Sequence, residues 1–168
     1  MTGPEVVPAA VAAAAVTDPE LPMLTLADLG ILRGVEESAG AVTVRITPTY
    51  SGCPAMEAIR ADLIGALRRA GHRRVEVRTV LDPPWSTDWI TPQGRRKLAA
   101  AGIAPPGPAP RRSPGPVPLT LGARPAPVPC PRCGQPDTER LAAFGATACR
   151  ELRRCPGCRE PFEHVKEI

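Results

Sequence analysis

The six cysteines are the side chains best suited to chemistry in this 168-residue chain, and they form two groups. Five lie in the last forty residues, whereas Cys53 stands alone in the segment TYSGCPAM, residues 49–56. Thiolates act as nucleophiles, as redox groups or as ligands of soft metals. The spacing and surroundings of each group therefore decide which role it is suited to.

Four of the tail cysteines form two Cys-x-x-Cys pairs, CPRC at 130–133 and CPGC at 155–158, separated by 21 residues. Each pair on a tight turn presents two thiolates to one ion, and two such turns complete a tetrahedral site. Four sulfur ligands with no open position favour structural zinc. We predict that zinc is bound by Cys130, Cys133, Cys155 and Cys158, and that it supplies much of the folding free energy of this short module.

Cys149 is the fifth cysteine of the tail, and two interpretations of it stay open. It is either a small buried apolar residue, or a ligand that replaces one of the four or belongs to an iron–sulfur cluster. His164 is also in the tail, but a lone histidine is usually not a ligand, so it is left out of the predicted site.

Cys53 lies between Gly52 and Pro54, directly before the best predicted helix, residues 54–70. Because proline is favoured at the first helical position, Cys53 is predicted at or beside the N-cap, where free amides favour a thiolate. His72 lies at the far end of that helix, roughly 28 Å away, so it cannot act as a base. Without a base, the thiol suits ligation or transfer better than hydrolysis. The alternative is a small residue that only fills a cap.

The elements that must position these thiols follow a mixed pattern. Strands are predicted over 31–37, 41–48 and 73–82, with Ser38-Ala39-Gly40 as a hairpin turn, and helices over 4–16, 54–70 and 92–101. The fold class is therefore α+β, a small three-stranded sheet with helices on one face, plus a C-terminal zinc-ribbon-like module. Trp85 and Trp89 either cover the core or form a partner-binding patch.

Composition divides the chain into three parts. Ten of the 28 residues from 102 to 129 are proline, which predicts an extended linker over 102–128 between an α+β domain, 1–101, and the ribbon-like module, 129–168. The net charge is +4, but residues 1–101 hold 11 basic and 11 acidic residues and are neutral. A folded domain without a basic stripe argues against a nucleic-acid partner.

The chain also lacks the apolar run of about 18 to 20 residues that a membrane span needs. Its first residues do not have the pattern of a secretory signal. We therefore predict a cytoplasmic protein without a membrane partner, and in that compartment grouped cysteines more often bind metal than form disulfides.

Several segments resemble known families in combination. VTDPELP at 16–22, DLGI at 28–31 and TPTYSGCP at 47–54 resemble SufT-like iron–sulfur assembly domains. CPRCG at 130–134, FGATAC at 144–149, CREPF at 158–162 and the TDW around Trp89 resemble the PaaD-type subunit of the bacterial phenylacetyl-CoA oxygenase (1,2-epoxidase) system. The resemblance covers nearly the whole chain except the linker.

The resemblance implies a non-catalytic accessory or maturation subunit that helps to assemble an iron–sulfur or di-iron centre in the oxygenase and reductase subunits. Cys53 would be the functional thiol, holding iron or an iron–sulfur cluster transiently, with Asp18 and Glu20 near it. The iron–sulfur assembly machinery and a second copy of the chain are further candidate partners. Two alternatives stay open: a zinc-stapled adaptor subunit, and a thiol-dependent enzyme that uses Cys53.

Overall fold

The computed structural model describes residues 7–50, 52–110 and 126–168. The chain forms two compact units, Met1–Lys97 and Leu98–Ile168. Residues 111–125, the middle of the predicted linker, lie outside the described residues. Among the described helices, none has both the length and the apolar character that a membrane span requires.

The N-terminal unit has a three-stranded mixed sheet in the order β1-β2-β3. β1 pairs antiparallel with β2, and β3 pairs parallel with β2 after the crossover helix α2. The elements of this unit are α1 (Ala9–Ala14), β1 (Leu32–Ser38), β2 (Ala41–Ile46), α2 (Met56–Arg69), β3 (Arg74–Thr79), a 3₁₀ turn (Thr87–Trp89) and α3 (Pro92–Ala100), which continues into the next unit.

The sheet confirms the predicted hairpin and alternation. Ala39 and Gly40 have φ angles of 47° and 73°, as a two-residue turn of this hand requires. Every second residue of β2 is buried, and so are three residues on one stripe of α2. Because α1 and α2 contact each other as well as the sheet, the helices lie on one face of it. These buried residues are Val42, Val44, Ile46, Ile59, Leu63 and Leu67.

The C-terminal unit has an antiparallel sheet of three short strands in the order β4-β5-β6. They are β4 (Glu139–Ala142), β5 (Arg150–Arg154) and β6 (Pro161–Val165). Ala104 forms a bridge with His164 of β6, and the Thr138 hydroxyl donates to the Val128 carbonyl at 2.6 Å. Both described ends of the predicted linker therefore lie on this unit.

Some element boundaries differ from the predictions. β3 ends at Thr79, before the slip in alternation, and the exposed fraction of Leu81 is 65%. α2 begins at Met56 with Ala55 as its N-cap, so the prediction that Cys53 lies at or beside the N-cap is wrong. The Met56 amide instead donates to the Cys53 carbonyl at 3.4 Å. Pro54 is therefore the second residue of a turn, a position that suits proline as well as the first position of a helix does.

Candidate functional site

Two matching turns build the candidate metal centre. In the first, the Cys130 amide donates to the Gln135 carbonyl and the Gly134 amide donates to the Cys130 carbonyl, each at 2.9 Å. In the second, the Cys155 amide donates to the Glu160 carbonyl at 3.1 Å, and the Arg159 amide donates to the Cys155 carbonyl at 2.9 Å. Residue 134 and residue 159 both have left-handed backbones, with φ angles of 75° and 62°. The two Cys-x-x-Cys pairs thus share one backbone conformation.

The turns bring four thiols together. The sulfur atoms of Cys130, Cys133, Cys155 and Cys158 all lie within 4.8 Å of one another. Cys130 Sγ is 3.8 Å from Cys158 Sγ, and Cys133 Sγ is 3.5 Å from Cys155 Sγ. A tetrahedral zinc site with bonds of about 2.3 Å separates its sulfur atoms by about 3.8 Å. The donor set and the spacing therefore fit a structural zinc ion.

Three thiols of this group have shifted pKa values. Amide groups at Cys158 and Gly157 hold the pKa of Cys155 at about 7. The Glu160 amide favours the thiolate of Cys158, but burial and the neighbouring thiols outweigh it and raise the pKa to about 11. The Gln135 amide acts in the same way on Cys133, whose pKa the neighbouring Cys155 nevertheless raises. Cys155 is therefore partly ionised at neutral pH, whereas Cys133 and Cys158 must lose their protons when they bind a metal.

Cys149 and His164 lie outside this group of four. Cys149 Sγ is 3.1 Å from the Thr147 hydroxyl. His164 is buried, and its Nδ1 lies 3.0 Å from Glu151, which also accepts from Arg153 at 2.6 Å. Burial raises the pKa of Glu151, but the hydrogen bonds from Arg153 and His164 outweigh it and lower the pKa overall. This buried network was not predicted from the sequence, and it pairs the charged groups that lie inside the ribbon.

Cys53 lies on the connection between β2 and α2. Its side chain is half-buried, and its amide donates to the Tyr50 carbonyl at 3.3 Å. Gly52 has a φ angle of 83°, and no heavy atom lies within 4 Å of the position that a Cβ would take there. The backbone beside the thiol is therefore open, which suits the approach of a reactant or partner.

Asp18 and Glu20 occupy a separate loop that Asp18 shapes. One oxygen of the Asp18 carboxylate accepts from the amides of Glu20 and Leu21, each at 2.9 Å. Asp18 is buried, whereas Glu20 is exposed. Asp18 thus serves as a turn-forming residue, because an Asx turn of this kind satisfies two amides at once.

Asp28 is a buried residue whose importance the sequence analysis missed. Its carboxylate accepts from the Thr25 amide at 3.1 Å and from Lys97 Nζ at 2.6 Å. Burial raises the pKa of Asp28, but hydrogen bonds from Lys97 and Thr25 outweigh it and bring the pKa below its ordinary value. Gly30 is packed so closely that a Cβ there would lie 2.6 Å from Cβ of Trp89. Asp28 thus contacts Lys97 of α3 and Gly30 packs against Trp89, so the Asp-Leu-Gly segment joins the turn at 25–30 to these two residues.

The tryptophans have different environments. Trp85 is buried, and its indole donates to the Leu29 carbonyl at 2.9 Å, so it belongs to the core of the N-terminal unit. Trp89 is half-buried, and the Arg33 guanidinium lies 3.6 Å from the centre of its ring.

Comparisons with known families agree with the two units. Residues 10–80 match the family described as iron-sulfur cluster assembly protein, and residues 114–166 match the PaaD zinc beta ribbon domain. The first match contains Cys53, and the second contains all four clustered thiols. The two family matches thus fall on different parts of the chain.

A relative in Escherichia coli (strain K12) is similar to most of this chain. It is described as the D subunit of a "Putative 1,2-phenylacetyl-CoA epoxidase" and is 43% identical over 157 residues, which cover 91% of this chain and 87% of the relative. The chain belongs to this family of epoxidase components. The predicted resemblance is therefore confirmed. The relative's name makes it one subunit of a multicomponent epoxidase.

Two solved structures are similar to somewhat more than half of the chain. A domain of unknown function, DUF59, from Bacillus anthracis is 27% identical and has a TM-score of 0.49, with 54% of this chain and 87% of that chain covered. A conserved hypothetical protein from Thermotoga maritima is 29% identical with a TM-score of 0.47, and 58% of this chain and 98% of that chain are covered.

Proposed function

We propose that this protein is a non-catalytic accessory subunit of a phenylacetyl-CoA epoxidase system, which helps to assemble an iron–sulfur or di-iron centre in partner subunits. The observation that carries this proposal is that four of its thiols form one cluster while Cys53 lies in the other unit. Four cluster in a closed set that suits a structural zinc, and Cys53 stands apart on an open loop inside the part that matches iron-sulfur cluster assembly proteins.

Zinc in the ribbon would have a purely structural role. A set of four thiolates leaves no coordination position for substrate or water, whereas catalytic zinc sites keep one open. When bound, zinc supplies the cross-link that fixes the two cysteine turns relative to each other. The ribbon then serves to dock the protein on its partners.

Cys53 would bind the iron or the iron–sulfur cluster that is passed to the partner subunits. Its thiolate is a suitable ligand for iron or for an iron–sulfur cluster in transit, because soft sulfur ligands favour both. Asp18 would shape its own loop through the two backbone hydrogen bonds, and the exposed Glu20 would be available to assist in binding the iron or cluster. The oxygenase and reductase subunits are the proposed recipients, and the cytoplasm is the proposed compartment.

Metal analysis of anaerobically purified protein tests the role of Cys53. Zinc, iron and acid-labile sulfide are measured per chain in the wild type, in Cys53→Ala and in the matched control Cys149→Ser. We expect one zinc in all three, with iron and sulfide lost only in Cys53→Ala. One zinc in each protein and iron in none would overturn the carrier role and leave a zinc-stapled adaptor.

Complementation tests the same role in cells. Cells without the native gene receive wild type, Cys53→Ala or Cys149→Ser, and the cluster content of the purified reductase subunit is measured. We expect Cys53→Ala to leave the reductase depleted of cluster while Cys149→Ser restores it. Full restoration by Cys53→Ala would contradict the proposal.

A further inference from the structure

Two apolar side chains project from the ribbon within four positions of each other. The exposed fraction is 67% for Phe144 and 46% for Leu141, and these are the large apolar side chains that the described ribbon residues expose. Single exposed apolar residues are ordinary on a protein surface. Leu141 and Phe144, which we call the Leu141/Phe144 patch, differ from such residues in the way the surrounding backbone positions them.

A partly buried ion pair fixes the loop that follows Phe144. Arg150, whose side chain is 7% exposed, contacts Glu163 at 2.5 Å. Glu163 also accepts from the Ala146 amide at 3.0 Å, and Arg150 donates to the Thr147 hydroxyl at 3.0 Å. Gly145 lies so close to Glu163 that an added Cβ would be 2.7 Å from a carboxylate oxygen. The backbone after Phe144 is thus held by these charges, and an ordered loop loses less entropy on binding than a mobile one.

A β-bulge in β4 exposes the side chain of Leu141. The register of β4 against β5 shifts between Arg140 and Ala142, so Leu141 is the extra residue of a β-bulge. Bulges re-aim side chains and are common at sheet edges. In the described sheet of the ribbon, β4 is an edge strand. Both residues of the patch therefore lie where another surface can reach them.

Cations border the patch. Lys166 Nζ lies 4.5 Å from the centre of the Phe144 ring and donates to the Ala143 carbonyl at 3.1 Å. The side chain of Arg140, next to Leu141, is 58% exposed and lies 3.9 Å from the buried carboxylate of Glu151, so its outer part remains accessible. Residues 139–166 contain six basic and four acidic residues, which gives this stretch a net charge of +2. An aromatic residue with neighbouring cations is complementary to an apolar surface with an acidic rim.

We propose that the Leu141/Phe144 patch is the surface by which the ribbon docks on an apolar, acid-rimmed face of another subunit of the epoxidase, an inference that rests on the accessory function proposed above. Phe144 is the central anchor, Leu141 extends the apolar contact, and Lys166 and Arg140 pair with the acidic rim.

Calorimetric titration against each of the other purified epoxidase subunits from the same source tests this proposal. The full-length proteins are wild type, Phe144→Ala, Leu141→Ser, Lys166→Gln and Leu81→Ser. We expect one subunit to bind wild type, and Phe144→Ala to weaken that binding about tenfold or more, as truncation of an aromatic anchor does. Leu141→Ser and Lys166→Gln should weaken it less, and added salt should weaken wild type more than Lys166→Gln.

Leu81→Ser is the matched control, because Leu81 is similarly exposed, at 65%, but lies in the N-terminal unit. It should bind as wild type does, and all variants should keep one zinc. Equal affinity of wild type and Phe144→Ala would overturn the docking surface. So would an equal loss in Leu81→Ser, or a wild type that self-associates or binds RNA but binds none of the subunits.

Cys53→Ala separates this proposal from the proposed function. It should bind the partner as tightly as wild type, because Cys53 lies outside the patch. If Cys53→Ala also delivers clusters normally while Phe144→Ala loses binding, the carrier role fails and the docking surface stands. If Cys53→Ala fails in delivery while Phe144→Ala binds normally, the docking surface fails and the carrier role stands.

Discussion

The N-terminal unit is held together by aliphatic packing, whereas the ribbon has little apolar interior. Among the described residues of the first unit, eight leucine, isoleucine and valine side chains are 2% exposed or less: Leu24, Leu26, Val42, Val44, Ile46, Ile59, Leu63 and Leu67. The buried cluster of the ribbon has five members, of which two are the cysteines Cys130 and Cys155. Its other buried side chains include the charged or polar residues Arg150, Glu151, Arg153 and His164.

This difference shows which interactions each unit depends on. Apolar burial contributes roughly 25 cal/mol per Å², so a sheet covered by two helices can be stabilised by packing alone. A small module that buries thiols and ion pairs needs an added cross-link. Metal removal and acid should therefore affect mainly the ribbon, and truncation of apolar side chains should affect mainly the first unit. Both expectations can be tested experimentally.

The largest effect should come from losing the metal. Cys155→Ser, or chelation of the wild type, should unfold the ribbon, because zinc binding supplies about 10 kcal/mol or more to such modules. Amide resonances of β5 and β6 should collapse in a ¹H–¹⁵N spectrum, and those of β2 and α2 should stay dispersed. Cys149→Ser should keep both sets. A metal-free ribbon with dispersed resonances would contradict the comparison.

Acid should weaken zinc binding steeply. Cys133 and Cys158 have raised pKa values, about 11 for Cys158, so each must lose a proton to bind at pH 8. Each unit of pH decrease then costs at least about 2.7 kcal/mol, or a hundredfold in affinity. Below the Cys155 pKa of about 7 that thiol is also protonated, and the loss becomes steeper. Competition titrations with a zinc indicator from pH 6 to 9 would measure the slope, and a flat profile would contradict it.

A cavity in the helix–sheet core should affect the first unit alone. Leu63 is fully buried, and Leu63→Ala should cost about 3 kcal/mol of its unfolding free energy. Urea unfolding followed by the circular dichroism of α2 would measure this loss, and zinc content should stay at one per chain. The exposed Leu81→Ala is the control. An equal loss of zinc would show that the ribbon depends on the first unit.

The sequence patterns could predict what local rules determine. The hairpin turn at Ala39-Gly40, the alternation of β2 and the four clustered thiols all follow from short-range spacing. The position of Cys53 did not, because Pro54 is equally suited to a turn and to a helix start. The role of Asp28 was missed for another reason: its partner Lys97 lies 69 residues further along the chain.

Removing the Asp28 charge should weaken the first unit. Asp28→Asn loses the Lys97 ion pair and should cost about 2 kcal/mol of unfolding free energy at pH 7. The pKa of Asp28 in the folded protein is below its ordinary value of 3.8, so its carboxylate stabilises the fold above that pH. The contribution is lost as pH falls through the lower, folded pKa. Urea titrations should therefore show the wild type and variant converging in acid, and a difference that does not depend on pH would contradict the assignment.

The smallest expected change in stability concerns the two cysteine turns. They share one backbone conformation, but the residue with a left-handed backbone is glycine in the first turn and arginine in the second. Gly134 adopts a φ angle of 75° without cost, whereas Arg159 holds a Cβ at a φ angle of 62°. Arg159→Gly relieves about 1 to 2 kcal/mol of strain but loses part of it to the greater freedom of glycine in the unfolded chain, so a gain of about 0.5 to 1 kcal/mol is expected. Gly134→Ala should destabilise the ribbon by a similar amount. Thermal unfolding of the zinc-bound proteins measures both changes, and shifts of the same sign would show that the two turns are not equivalent.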